Sequence, residues 1–243
     1  MKHYLSLDKP HNKLATEIVN TIKEYYPIKL QVHEEDYDRY PGIIKLRDRI
    51  GEHMEDYNAY MKPWKNFLKN LPKGFKSKIY NFGLPHITSY SGELILEKYE
   101  DKSLIRVKKI VFNVSWLGNF YTVYGTDETI IKDERDGRDL FYRAINVITA
   151  SPYKEFEKGF NYLQQAIEKE FIGYRFVPFY LCCFYIKDLQ LPYSEPFDTT
   201  VYNAIFSSSL DLIHLPSIYL RGNRYYGAEL SNIKVELRRP PSN

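Results

Sequence analysis

Leu104-Ile105-Arg106-Val107-Lys108-Lys109-Ile110-Val111-Phe112-Asn113-Val114-Ser115-Trp116 is the stretch whose reading decides the fold. Ile110, Phe112, Val114 and Trp116 alternate with Lys109, Val111, Asn113 and Ser115. A period of two in residues that are mostly β-branched or aromatic marks a strand. Upstream, Leu94, Leu96 and the stem of Lys98 fall on one face of a second strand, with Glu93, Ile95, Glu97 and Tyr99 on the other. Glu100-Asp101-Lys102-Ser103 is the turn between them. Downstream, Leu117-Gly118-Asn119 tolerates positive φ, so the chain can reverse into Phe120–Tyr124. Gly125 then marks a bulge or turn before Thr129-Ile130-Ile131. The expectation is an antiparallel meander over about 86–149 with one buried face, which other elements must cover.

Those elements are legible on either side. A helix from a cap at Asn12 to Tyr26 carries Leu14, Ile18, Ile22 and Tyr25 on one stripe, and Pro27 stops it. Ile28–Val32 alternates as a short strand, and the acidic segment to Tyr40 reads as a loop. Pro41 opens a second helix, with Ile43, Leu46, Ile50, Met54, Tyr57 and Met61 at helical spacing until Pro63 ends or kinks it. Trp64, Phe67, Leu68 and Leu71 suggest a further helical turn, and Pro72-Lys73-Gly74 closes this part. Beyond the meander, Ser151 and Pro152 are helix-start chemistry. Phe156, Phe160, Leu163, Ile167 and Phe171 follow as one apolar stripe, and Gly173 ends that helix. Phe176–Ile186, apolar on both faces, reads as a buried strand despite Pro178. Asp198 caps a short helix over Thr199–Phe206. Leu210–Leu215 and Ser217–Leu220 read as strands, Arg221–Arg224 as a hairpin turn from which Tyr225–Leu230 returns, and Ile233–Leu237 as a closing strand.

The expected fold is therefore α+β: a mostly antiparallel sheet, the central meander plus C-terminal strands, covered by N-terminal helices and a helix at about 152–172. No repeat or Gly/Ser-rich linker divides the 243 residues. One domain is expected, with a mainly helical part over 1–74, the meander over 86–149, and a helix and strands over 152–237.

Composition narrows function. Hydrophobic content of 44% with 27% charged residues is that of a soluble globular chain. The 23 tyrosines and 14 phenylalanines stand out, and rings packed on strands are their ordinary use. A net charge of +3 is too small to imply a polyanion partner. It is unevenly spread: from Lys62 to Lys109 there are 11 basic and four acidic residues. Glu34, Glu35, Asp36 and Asp38 form a short acidic run. Such asymmetry steers charged partners, and Glu34, Glu35, Asp36, Asp38, Lys73, Lys76, Lys78, Lys108 and Lys109 are the candidate interaction surface.

Chemistry is harder to find. Cys182 and Cys183 are adjacent and the only cysteines, so they make neither a disulfide framework nor a zinc site. A reducing, cytoplasmic setting follows. The N-terminus lacks the apolar core of a secretory signal, although a leader already removed would leave no trace. The most apolar run is far short of the ~20 residues that span a bilayer, so no membrane association is expected. Setting Gly137 sixth in a calcium loop puts Lys132 first and Arg143 twelfth, which fails the pattern. The six histidines never fall at the spacing of a helical metal pair. His53 reads as a satisfied boundary residue, and His214 as half buried. No phosphate loop or nucleophile elbow occurs. No cofactor, metal or catalytic residue is assigned.

The sequence supports a non-enzymatic, intracellular protein-recognition module, of inhibitor or toxin-immunity type. Its motivation is a full-sized core, no catalytic constellation, and separated charges that speed encounter. One alternative is single-stranded nucleic-acid binding through the basic 62–109 segment, where lysines interleave with Trp64, Phe67, Phe75, Tyr80, Phe82 and Tyr90. Another is a hydrolase-type enzyme whose tyrosines, histidines and carboxylates converge only on folding.

Overall fold

A computed structural model describes residues 3–6, 13–76, 78–81, 87–135, 138–192, 199–207 and 219–227. The fold is α+β, as the pattern implies, built on a mostly antiparallel seven-stranded sheet. β1 (Ile79–Asn81), β2 (Ser89–Glu100), β3 (Leu104–Ser115), β4 (Phe120–Arg135) and β5 (Arg138–Thr149) pair in chain order. β6 (Arg175–Phe176) lies parallel to the start of β4, and β7 (Tyr219–Arg221) parallel to the end of β5.

The meander departs from its expected shape in three ways. β4 is one continuous strand, and its register shift with β5 lies at Asp127/Glu128 rather than at Gly125. Gly125 instead lets β4 approach the Phe156 ring, which a Cβ would overlap. A second shift between Ile95 and Glu97 reverses the faces of β2 beyond it, so Lys98 shares a face with Glu93 rather than with Leu94. Lastly, both faces of the sheet are covered over 109–115 of β3, where every residue is buried.

Two sets of helices do this. On one face, α4 (Tyr57–Asn70) sets Trp64 and Phe67 against Phe112, with ring centroids 5.6 and 6.2 Å apart. α6 (Glu157–Glu170) lies beside it, and a Cβ at its Gly159 would stand 2.7 Å from Ile110 Cδ1. Phe156, Phe160, Leu163 and Ile167 are completely buried there. On the far face, α7 (Phe179–Cys182) and α8 (Val201–Ile205) bring Phe179 and Tyr202 onto Tyr124. The far face is polar yet buried. Thr122 donates to Val177 O at 2.9 Å, Ser89 to Phe206 O at 2.7 Å, and Asn113 to Tyr202 Oη at 3.2 Å. Hydrogen bonds of this kind are what make such burial tolerable.

The remaining elements refine the sequence reading. α1 (Lys13–Tyr25) buries Leu14, Ile18, Ile22 and Tyr25, while its expected cap Asn12 lies outside the described residues. Ile28 makes only a single bridge to Leu189 in place of a strand. The acidic loop contains a helical turn, α2 (Glu35–Arg39), pinned by fully buried Tyr37, whose hydroxyl donates to Gln190 O at 3.0 Å. α3 (Pro41–Glu55) ends at Asp56, whose carboxylate accepts from Ala59 N at 2.9 Å and starts α4 in a new direction. Pro63 therefore stands inside α4 instead of ending a helix. α5 (Lys73–Lys76) follows. Ser151 does not cap α6; a 3-10 turn over Lys154–Phe156 precedes that helix, and Ser151 Oγ accepts from Asn223 N at 2.9 Å.

Phe176–Ile186 is not a strand. Pro178 has no N–H for a ladder, and its carbonyl accepts from Leu181 N and Cys182 N at 2.9 and 3.2 Å, which turns the chain into α7. Thr200 rather than Asp198 caps α8, through a reciprocal pair with Asn203. After Gly222, at φ 80°, residues 224–227 form a turn in which Tyr226 packs edge-on against Phe160 and Phe176, and the rest of the expected returning strand, 228–230, lies outside the described residues. Asp198, Leu210–Leu215, His214 and Ile233–Leu237 lie outside the described residues.

Candidate functional site

Of the nine residues singled out from charge, some are exposed, some are paired within the chain, and one is buried. Glu35 pairs with Arg39, and Asp38 with Arg47 on α3. Glu34 is half buried and accepts from Gln31 N at 3.1 Å, while Asp36 is exposed. Lys73 and Lys78, which follow α4 in the chain, are exposed, and the side chain of Lys76 lies outside the described residues. Lys108 holds Glu97 at 2.9 Å and Glu155 at 3.4 Å. Lys109 is a correction: only 4% exposed, it belongs to the interior and not to an interaction surface.

Its neighbours explain why. Four charges on the far face, one from each of the four long strands, come together: Glu93, Lys109, Glu128 and Arg143. Lys109 Nζ lies 2.7 Å from Glu93 and 3.1 Å from Glu128. Arg143 forks onto both oxygens of Glu128 at 2.7 and 2.9 Å and approaches Glu93 at 3.9 Å, which closes a neutral ring. Thr126 Oγ1 donates to Glu128 at 2.8 Å. Burial pushes the Glu128 carboxyl up, but the Arg143 hydrogen bonds and the charge of Lys109 outweigh it and hold the group below its ordinary value. A carboxylate so held is no general base near neutrality. The ring works as a clamp across four strands.

The buried phenols and thiols beside it are equally quiet. Tyr124 donates to Tyr202 Oη at 3.2 Å, and burial pushes both hydroxyls far above their ordinary value. Burial pushes the Cys182 thiol up to about 12, and Cys183 is raised as well. His53 stacks on Tyr60 and meets Trp116 edge-on, at 4.3 and 4.8 Å. Its Nδ1 has no hydrogen-bond partner, so packing rather than a polar contact holds this ring.

Two of the exposed regions among the described residues bear on binding. The outer ends of β2–β5 run beyond the ground that α4 and α6 cover. Tyr99, Ile131, Phe141 and Tyr142 are 57%, 53%, 61% and 49% exposed there. By register, Tyr99, Ile131 and Tyr142 share the helix-side face and Phe141 the opposite one. The second region is the lysine-bearing side of α4 and α5. The rings that would make it a stacking groove are elsewhere: Trp64, Phe67 and Tyr90 are buried, and Phe75 stacks on Tyr162 at 4.6 Å. Tyr80 is exposed but pairs opposite Glu93, on the far face of the sheet. Phe82 lies outside the described residues.

No family model, curated protein or solved structure matches this chain.

Among the described residues no helix is long and apolar enough to cross a membrane. Sequence periodicity could not show the charge ring, because its members are brought together only by strand register. The ribbon end was not singled out either; its only sequence signal is that Tyr99, Ile131 and Phe141 stand among charged residues at strand ends.

Proposed function

We propose that this chain is a non-catalytic protein-recognition module, of inhibitor or toxin-immunity type, working in the cytoplasm. One observation carries the reading: large apolar side chains are half or more exposed on both faces of the outer β2–β5 ribbon. Exposed apolar ground on a sheet that extends past its covering helices invites pairing with another chain. The buried chemistry supports the same reading, because the carboxylates and thiols described above are locked or inert. Free Cys182 and Cys183 suit a reducing compartment.

The test is capture of the tagged full chain from its native cells at low salt, beside a variant carrying Tyr99→Ser, Ile131→Ser and Phe141→Ser. The proposal expects one stoichiometric protein partner with the natural chain and its loss with the variant, both chains retaining the same circular dichroism. Equal recovery with both, or no stoichiometric partner, would reject the ribbon as the recognition surface.

A further inference from the structure

Five lysines on α4 and the segment that follows it have no carboxylate among the described residues to neutralise them. Lys62, Lys65 and Lys69 recur at spacings of three and four on α4, which sets them on one stripe. Lys73 opens α5, and Lys78 leads into β1 at the edge of the sheet. All five are exposed. Among the described residues no carboxylate comes within ion-pair distance of any of them, whereas Lys45, Lys98, Lys108, Lys109 and Lys132 are all paired. The sequence supplies the reason: no Asp or Glu occurs between Asp56 and Glu93.

We propose that this face docks an acidic segment of a protein partner, its carboxylates meeting the ammonium groups of Lys62, Lys65, Lys69, Lys73 and Lys78. The inference goes beyond the ribbon end and does not depend on it. Three features favour carboxylates over a phosphate backbone. No arginine occurs between Arg49 and Arg106, so the face offers point charges and no planar fork for phosphate. Trp64, Phe67 and Tyr90 are buried and Tyr80 faces the far side of the sheet, while the one exposed ring described beside these lysines, Tyr57, is already taken by Lys65 Nζ at 5.8 Å, so the face offers no run of open rings for bases to stack on. The α4 N-terminus, which could otherwise hold phosphate, is already filled by the Asp56 carboxylate. Lysines on a helix and a sheet edge match a diffuse run of carboxylates, and such a contact accelerates encounter.

Fluorescence anisotropy on the full chain tests this with a labelled peptide alternating glutamate and serine, oligothymidylate and a DNA duplex as probes. Affinities are compared at about 0.05 M and about 0.3 M salt, across which exposed charges become strongly screened. The variants are Lys62→Glu/Lys65→Glu/Lys69→Glu, the same three positions to Gln, and Lys158→Glu on α6 as a charge control. The expected result is peptide binding that weakens about tenfold or more with salt. It should be lost in the Glu variant, weakened in the Gln variant and kept in the control. Tighter binding of either nucleic acid, peptide binding indifferent to the triple variants, no peptide binding at low salt, or lysine-dependent self-association by light scattering would each overturn the assignment. Ribbon variants should leave the peptide affinity unchanged, which separates this surface from the one proposed above.

Discussion

Lys109 Nζ on β3 stands 3.1 Å from a carboxylate oxygen of Glu128 on β4, and both side chains are almost completely buried, at 5% and 1% exposure. A lone buried charge is costly, whereas a ring of alternating charges distributes that cost over hydrogen bonds. The consequence is asymmetric. Removing one member should hurt far more than the pair contributes.

Lys109→Met should therefore destabilise the fold by about 3–5 kcal/mol, because Glu93 and Glu128 then face each other with only Arg143 between them. The double variant Lys109→Met/Glu128→Gln should recover part of that loss. Urea unfolding of the natural chain, the two single variants Lys109→Met and Glu128→Gln, and the double variant measures both, and a double variant less stable than the sum of its singles would contradict the ring.

Acid should act through the same group. The folded Glu128 carboxyl titrates below its ordinary value of 4.5, so its contribution is complete above that pH and disappears as pH falls through the lowered folded value. Urea midpoints of the natural chain should hold from neutrality to about pH 5 and then drop, and those of Glu128→Gln should drop less. Parallel curves would show that Glu128 is not the group responsible.

Gly125 makes a separate packing claim. Gly125→Ala should cost about 1–3 kcal/mol, because the new methyl enters the space of the Phe156 ring. Phe156→Leu combined with it should lose less than the two changes added. Thermal melts compare them directly.

The thiols give a chemical readout. With Cys182 pushed up to about 12 and Cys183 raised beside it, neither should react with a thiol-exchange reagent in the native chain at mildly alkaline pH. Both should react once denaturant is added. Fast native labelling of either would contradict the packing of α7.

How far the sequence reaches is visible in particular residues. Phe156, Phe160, Leu163 and Ile167 announced α6 because a helix buries one stripe, and the alternation around Phe112 announced β3 for the equivalent reason. Phe176–Ile186 misled because apolar composition cannot separate a buried strand from a short buried helix, and Pro178 decided the matter locally. The split at Asp56 was hidden because α3 and α4 continue one another's spacing. Lys109 looked like surface because its partners Glu93, Glu128 and Arg143 are its neighbours only across the sheet. Exposure of Phe141 and Tyr142 depends on how far the helices extend over the ribbon, which no local pattern records.

Native mass spectrometry of the chain purified at low salt from its own cells bears most directly on the proposal of protein recognition. The account predicts a complex heavier than the 28.9 kDa chain, containing one further protein in fixed ratio and dissociating when Tyr99, Ile131 and Phe141 are replaced by serine. A lone 28.9 kDa species, or multiples of that mass alone, would contradict it.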